Sequence, residues 1–156
     1  MKSLNKKNES QEENKIIAVV RISGQVGLNR NVIETLYRLR IRRKYACVVF
    51  VKPKKEILGM MKKYRDFIAF GNISEKVFEE LIKERGQKID KTKKIDAKKI
   101  IEELKKGKKY EELNLKPFFR LHPPRKGIES KKHFGVGKGV LGDNKQEINK
   151  LIERML

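Results

Sequence analysis

Apolar positions along the chain fall into two recurring patterns, short continuous runs and stripes at helical spacing. Residues 15–22 (KIIAVVRI) form a β-branched run followed by Ser23, Gly24 and Gly27, the pattern of a buried strand entering a turn. Asn31 then opens a helix, with Asn31 and Glu34 at capping-box spacing and Val32, Ile33, Leu36 and Leu39 on one face. Residues 45–51 repeat the strand pattern. Pro53 suits a first helical position, and Ile57, Leu58 and Met61 give the next helix its inner side. Residues 67–70 make a third strand, stopped by Gly71. The order β-α-β-α-β predicts an α/β (α+β) fold, a small split sandwich with two helices on one face of an antiparallel three-stranded sheet.

Further helices extend this core. Ser74 caps one with Val77, Phe78, Leu81 and Ile82 inward, and Gly86 lies where a left-handed C-cap belongs. Asp96 caps a second with Ala97, Ile100, Ile101 and Leu104 inward and Gly107 as its stop. Residues 87–94 read as a polar linker between them. Residues 114–142 hold three of the four prolines and five of the eleven glycines, which reads as loop instead of element. A last helix over 143–155 presents Ile148, Leu151, Ile152 and Met155. The expected organisation is a polar tail (1–14), a compact core (15–71), a helical extension (72–113), a basic loop (114–142) and a terminal helix (143–156).

Charge changes the picture from fold to partner. The 156 residues carry 40 Lys+Arg against 20 Asp+Glu, a net charge of +20. Residues 15–71 hold 14 basic groups against 3 acidic, and residues 114–142 hold 7 against 1, whereas 72–113 is well mixed and both termini are neutral. A compact chain this positive repels itself, so a polyanion is the expected partner, nucleic acid before an anionic membrane. The longest apolar run, 46–51, is far short of the roughly 20 residues that span a bilayer. The polar N-terminus and the single cysteine, Cys47, point to an intracellular, cytoplasmic protein without an intrachain disulfide. Within ACVVFV, Cys47 reads as a small buried side chain.

Candidate catalytic motifs are weak. Gly137, Gly139 and Gly142 match the dinucleotide pattern G-x-G-x-x-G, but neither a strand leading in nor an acidic residue about 20 positions on accompanies them. His122, His133 and Cys47 cannot fill a four-ligand zinc site without carboxylates. The acid pairs Glu79-Glu80, Glu102-Glu103 and Glu111-Glu112 are adjacent, so a helix points their members in different directions. No enzyme, cofactor, metal or small-molecule substrate is expected. The stronger signal is residues 38–44, with five cations in seven, and residues 114–142, where Phe118, Phe119 and Phe134 alternate with cations and prolines. Cationic, ring-bearing loops can follow a folded RNA, with Arg bridging phosphates and rings stacking on bases.

Four stretches carry a family resemblance: RLHPPRKG at 120–127, the following KKHF and glycines up to Gly142, GMMKKYRDFIAFG at 59–71, and VRISGQVGLNRNVIETLYRLRI at 20–41. Over about residues 15–156 the chain resembles the universal large-subunit ribosomal protein thirty family (L-thirty of bacteria, L-seven of eukaryotes), in its archaeal-type form. Lys126 departs from the second glycine usual in that family after Arg125. The resemblance implies a structural ribosomal protein that binds large-subunit ribosomal RNA near the 5S RNA region, beside neighbouring ribosomal proteins. On charge and resemblance together, the expected RNA contacts in the core are Arg21, Arg30, Arg38, Arg40, Arg42, Arg43 and Lys44. Lys54, Lys55, Lys62 and Lys63 extend them along the second helix. Arg120, His122, Arg125, Lys126, Lys131, Lys132, His133 and Lys138 supply them from the loop. The alternative is an architectural DNA- or RNA-binding protein outside the ribosome.

Overall fold

The computed structural model describes residues 15–24, 26–128, 130–133 and 139–156, with the backbone alone at 130–133. Three strands, β1 (Ile16–Arg21), β2 (Ala46–Val51) and β3 (Ile68–Asn72), form the antiparallel centre, with β1 in the middle. Helices α1 (Arg30–Arg38) and α2 (Lys55–Lys63) connect them, so the βαβαβ order expected from the sequence is the one observed. Side chains alternate across a strand, and β1 is buried on both sides as a result. Ile17 and Val19 face Val32, Leu36 and Met61 on the α1/α2 side. Ile16, Ala18 and Val20 face the opposite core.

That second core is closed by three further helices. Helix α3 (Glu75–Arg85) is capped by Ser74, whose hydroxyl accepts from the Val77 N–H. Helix α4 (Ala97–Lys105) is capped by Asp96, which accepts from the Lys98 N–H. Their stripes, with Ile148, Leu151, Ile152 and Met155 of α5 (Ile148–Met155), are buried as their periodicity predicts. Each such aliphatic contributes about 1.5–3 kcal/mol on leaving water. The sheet is therefore covered on both faces, and residues of 72–113 share one continuous core with β1 and β2.

The segment expected to be loop contains three strands. Strand β4 (Phe119–Arg120) pairs antiparallel with the start of β2. Strand β6 (Gly139–Asp143) lies parallel to β3, with β5 (Ser130–His133) beside it, giving the order β4-β2-β1-β3-β6-β5. Gly139 and Gly142 thus belong to a strand, while Gly137 lies outside the described residues. The RLHPPRKG stretch is tied to the end of α5. The Arg125 and His122 N–H groups donate to the Arg154 and Met155 carbonyls, each at 3.0 Å, and the Arg154 guanidinium donates to the carbonyls of Arg125 and Gly127.

Several local expectations are corrected. The α1 cap is Asn29, not Asn31: Asn29 has extended backbone, and its side chain accepts from the Asn31 N–H at 3.3 Å. Pro53 lies one residue before the α2 cap, Lys54, still in the connection from β2. Gly71 does not stop β3; it lies within the strand, where a Cβ would meet the Lys145 carbonyl at 2.3 Å. Gly86 has φ −63° and is not left-handed; its need is space, since a Cβ would lie 2.3 Å from the Ile82 carbonyl. Gly107 does take the left-handed conformation, at φ +96°. Lys126 has φ +65° in a turn closed by the Gly127 N–H to the Pro124 carbonyl, so a lysine occupies the kind of position that favours glycine.

Candidate nucleic-acid interface

The arginine run after α1 is shaped from below by another arginine. Arg21, at the end of β1, is fully buried. Its guanidinium donates to the carbonyls of Ser23 (3.0 Å), Ile41 (3.1 Å), Arg42 (2.7 Å) and Gly24 (3.3 Å). Burial holds its pKa below the ordinary arginine value, yet the group stays charged near neutrality. Arg21 is therefore withdrawn as an RNA contact: it donates to four backbone carbonyls and faces no solvent. What it does instead is turn the 41–42 carbonyls inward, so the side chains of 40, 42 and 43 project outward. Left-handed residues bracket the run, Arg40 at φ +64° and Tyr45 at φ +65°. Such positions cost energy and persist where surrounding bonds over-determine them; here the Tyr45 N–H donates to the Arg21 carbonyl at 2.7 Å.

Pairing of β4 with β2 brings the second basic segment to the same place. Arg120 lies opposite Ala46, and Phe119 opposite Cys47. Phe119 enters the core, where it meets Tyr110 edge-on at 6.3 Å. Alternation then sends Phe118 and Arg120 to the other side, where the guanidinium sits 5.7 Å from the Phe118 ring centroid. Arg40, Arg42, Arg43 and Arg120 surround a cleft of about 350 Å³ with Ala46, Pro117 and Phe118. Arg42 also lies 5.5 Å from the centroid of Tyr37, a half-exposed ring. Glu111 reaches this rim: it accepts from Arg40 at 3.2 Å, with both side chains more than half exposed. An exposed pair of that kind is worth little, about 0–1 kcal/mol, so it does not commit Arg40.

The other expected contacts are distributed. Arg30 and Arg38 are exposed on α1, Arg38 paired with Glu34 at 3.0 Å. Lys44 is exposed beside Tyr45, 5.1 Å from its ring centroid. Lys54 and Lys55 are exposed at the start of α2, and Lys63 near its end lies over Tyr64. Lys62 is not brought to the arginine cleft; it lines a separate hollow with Lys15, Asn72, Asp143 and Lys145. His122, Arg125 and Lys126 are exposed along the stretch bound to α5. Lys131, Lys132 and His133 belong to β5, and Lys138 lies outside the described residues. Sequence reasoning missed Ala46 and Pro117 as lining of the cleft and Glu111 as the partner of Arg40 at its rim, and no local pattern marks them.

Two further titratable groups, Cys47 and Tyr110, serve packing. Cys47 is buried, and burial alone pushes its thiol up to about 12. The Tyr110 hydroxyl donates to the Val49 carbonyl at 2.6 Å, and burial raises its pKa as well. Among the described residues, no cluster of His, Cys, Asp or Glu suits a metal ion, and no helix is long and apolar enough to cross a membrane.

A βαβαβ core with helices on both faces and arginines gathered at one end of its sheet defines a small basic α/β protein of the split-sandwich class. Residues 17–68, the core through the start of β3, match the family profile Ribosomal protein L30p/L7e. The chain is 40% identical to large ribosomal subunit protein uL30 of Nanoarchaeum equitans, over 90% of this chain and 99% of that protein. It is 37% identical to uL30 of Archaeoglobus fulgidus over 90% of this chain and 99% of the relative. With uL30 of Hyperthermus butylicus it shares 37% identity over 97% and 96%. The chain belongs to the uL30 (L30p/L7e) family, structural and non-enzymatic proteins of the large ribosomal subunit.

Proposed function

We propose that the chain binds large-subunit ribosomal RNA, with the arginine cleft as the centre of its contact surface. The observation that supports this reading is the meeting of two basic segments distant in sequence, after α1 and in β4, around one hollow. Arg30, Arg38 and Lys44 flank the cleft's first segment in the chain, and His122, Arg125 and Lys126 follow its second. The lysines of α2 and of 131–138 are offered as further contacts on charge alone. Family resemblance supports a place near the 5S RNA region, among neighbouring ribosomal proteins. Base sequence is expected to matter little, because A-form helices are recognised through shape, phosphate and 2′-hydroxyl contacts.

Replacing Arg40, Arg42 and Arg43 together with Gln tests the reading, with rRNA affinity measured over a range of salt concentrations. Affinity falls, and the slope of log affinity against log salt flattens by roughly 0.7–0.9 for each phosphate that the variant no longer neutralises. An unchanged slope would remove the cleft from the interface. Competition with duplex DNA separates folded-RNA binding from general architectural binding: the parent chain is displaced by rRNA and spared by DNA.

A further inference from the structure

We propose that the arginine cleft takes a single unpaired nucleotide of the folded RNA, its base on the Arg120–Phe118 stack and its phosphate among Arg40, Arg42 and Arg43. The inference rests on the rRNA-binding reading above and specifies which feature of that partner the cleft holds.

Size decides first. A hollow of about 350 Å³ is at the small end of sites for one small ligand, roughly 300–1,000 Å³, and no double helix enters it. Phosphate binding alone needs only cations, yet the wall carries Pro117 and Phe118, and the guanidinium of Arg120 lies 5.7 Å from the ring centroid. Unpaired bases splay out of RNA and stack on aromatic rings or on guanidinium planes, and this pair offers one of each. The opposite residue in β2 is Ala46, so the floor between β4 and the 40–43 turn is a methyl group where a larger side chain would fill the space. Arg21 holds that turn from beneath through the Ile41 and Arg42 carbonyls, so the backbone of the site is in place before RNA arrives and the ordering entropy spent on binding is that of the exposed side chains. Glu111 on Arg40 keeps the rim occupied by a carboxylate that a phosphate displaces.

Two variants separate stacking from charge. Phe118→Leu keeps an apolar side chain and removes the ring; Arg120→Lys keeps the charge on an exposed position and removes the plane. Each is expected to lower rRNA affinity roughly 5- to 150-fold, the range for removing one base stack, with the salt slope unchanged. Ultraviolet cross-linking of the parent complex, then nuclease digestion, is expected to leave a mononucleotide adduct on the peptide carrying Phe118. Tight, salt-sensitive rRNA binding that neither variant weakens, with no adduct there, overturns the cleft proposal and leaves the rRNA reading standing. Absence of saturable rRNA binding by the parent chain overturns both. Displacement of the RNA by micromolar free mononucleotides also overturns the proposal, in favour of a soluble nucleotide ligand.

Discussion

Arg21 shows how far one residue's role depends on where its donors end. In the sequence it is one of fourteen basic groups in residues 15–71; its charge alone does not separate it from Arg40 or Arg42, although it lies in the apolar run 15–22 and they lie in the cation cluster 38–44. The structure separates them completely, because Arg21 lies under the surface that the others form. A buried group left without its partner costs about 1–3 kcal/mol, and Arg21 serves four carbonyls. Arg21→Met, which keeps length and apolar bulk, is therefore expected to destabilise the fold by about 2–4 kcal/mol in urea unfolding. Arg21→Lys should recover only part of this, since an ammonium cannot reproduce the planar fork. A Met variant as stable as the parent would show that the 40–43 turn holds its shape unaided. Lys126 offers a smaller lesson of the same kind: the family's glycine position reads as a departure in sequence, and the left-handed φ of +65° explains why glycine is favoured there.

At the scale of elements, what was legible is what repeats locally. The apolar stripes of α3 and α4 and the buried runs of β1 and β2 follow from spacing within a dozen residues, and the structure buries those positions. Strands β4 and β6 carry no such signal. The first is two residues long, and the second owes its place to pairing with β3 across some seventy positions, as Ala69 opposite Gly142 shows. The arginine cleft was half legible for the same reason: its cations stood out, but the link between residues 40 and 111 spans 71 positions. Glycines make this difference testable. Gly71 in β3 faces the Lys145 carbonyl and the Ile148 side chain, so Gly71→Ala pushes the turn before α5 off the sheet and is expected to cost about 1–3 kcal/mol. Gly59 in the middle of α2 has nothing within 4 Å of an added Cβ, and Gly59→Ala is expected to stabilise by up to about 1 kcal/mol through helix propensity. Chemical denaturation of both variants checks the opposite signs; a stabilising Gly71→Ala would mean that the α5 junction is looser than its packing indicates.

At the scale of the whole molecule, the distribution of +20 sets two responses to salt that run in opposite directions. Among the described residues, three ion pairs lie in the charge-mixed stretch 72–113: Glu75 with Lys105, Glu79 with Lys83, and Glu103 with Lys108. They are partly exposed and contribute little each, while residues 15–71 and 114–142 hold 21 basic groups against 4 acidic ones. The isolated chain is thus dominated by self-repulsion, which salt relieves as the Debye length falls from about 30 Å at 0.01 M to about 8 Å at 0.15 M. Thermal unfolding of the free protein over that range is expected to shift upward by about 2–4 °C, a gain on the order of 1 kcal/mol at this chain length. Over the same range rRNA affinity should fall steeply, because bound cations give up the advantage of counterion release. Scanning calorimetry beside a binding titration in matched buffers reads both. A melting temperature that fell with salt would show that internal ion pairs outweigh repulsion, and the charge would then need an explanation within the fold. A rise in stability with a loss of affinity is what a surface arranged for an external polyanion requires, since the RNA supplies in the complex the neutralisation that the free chain takes from salt.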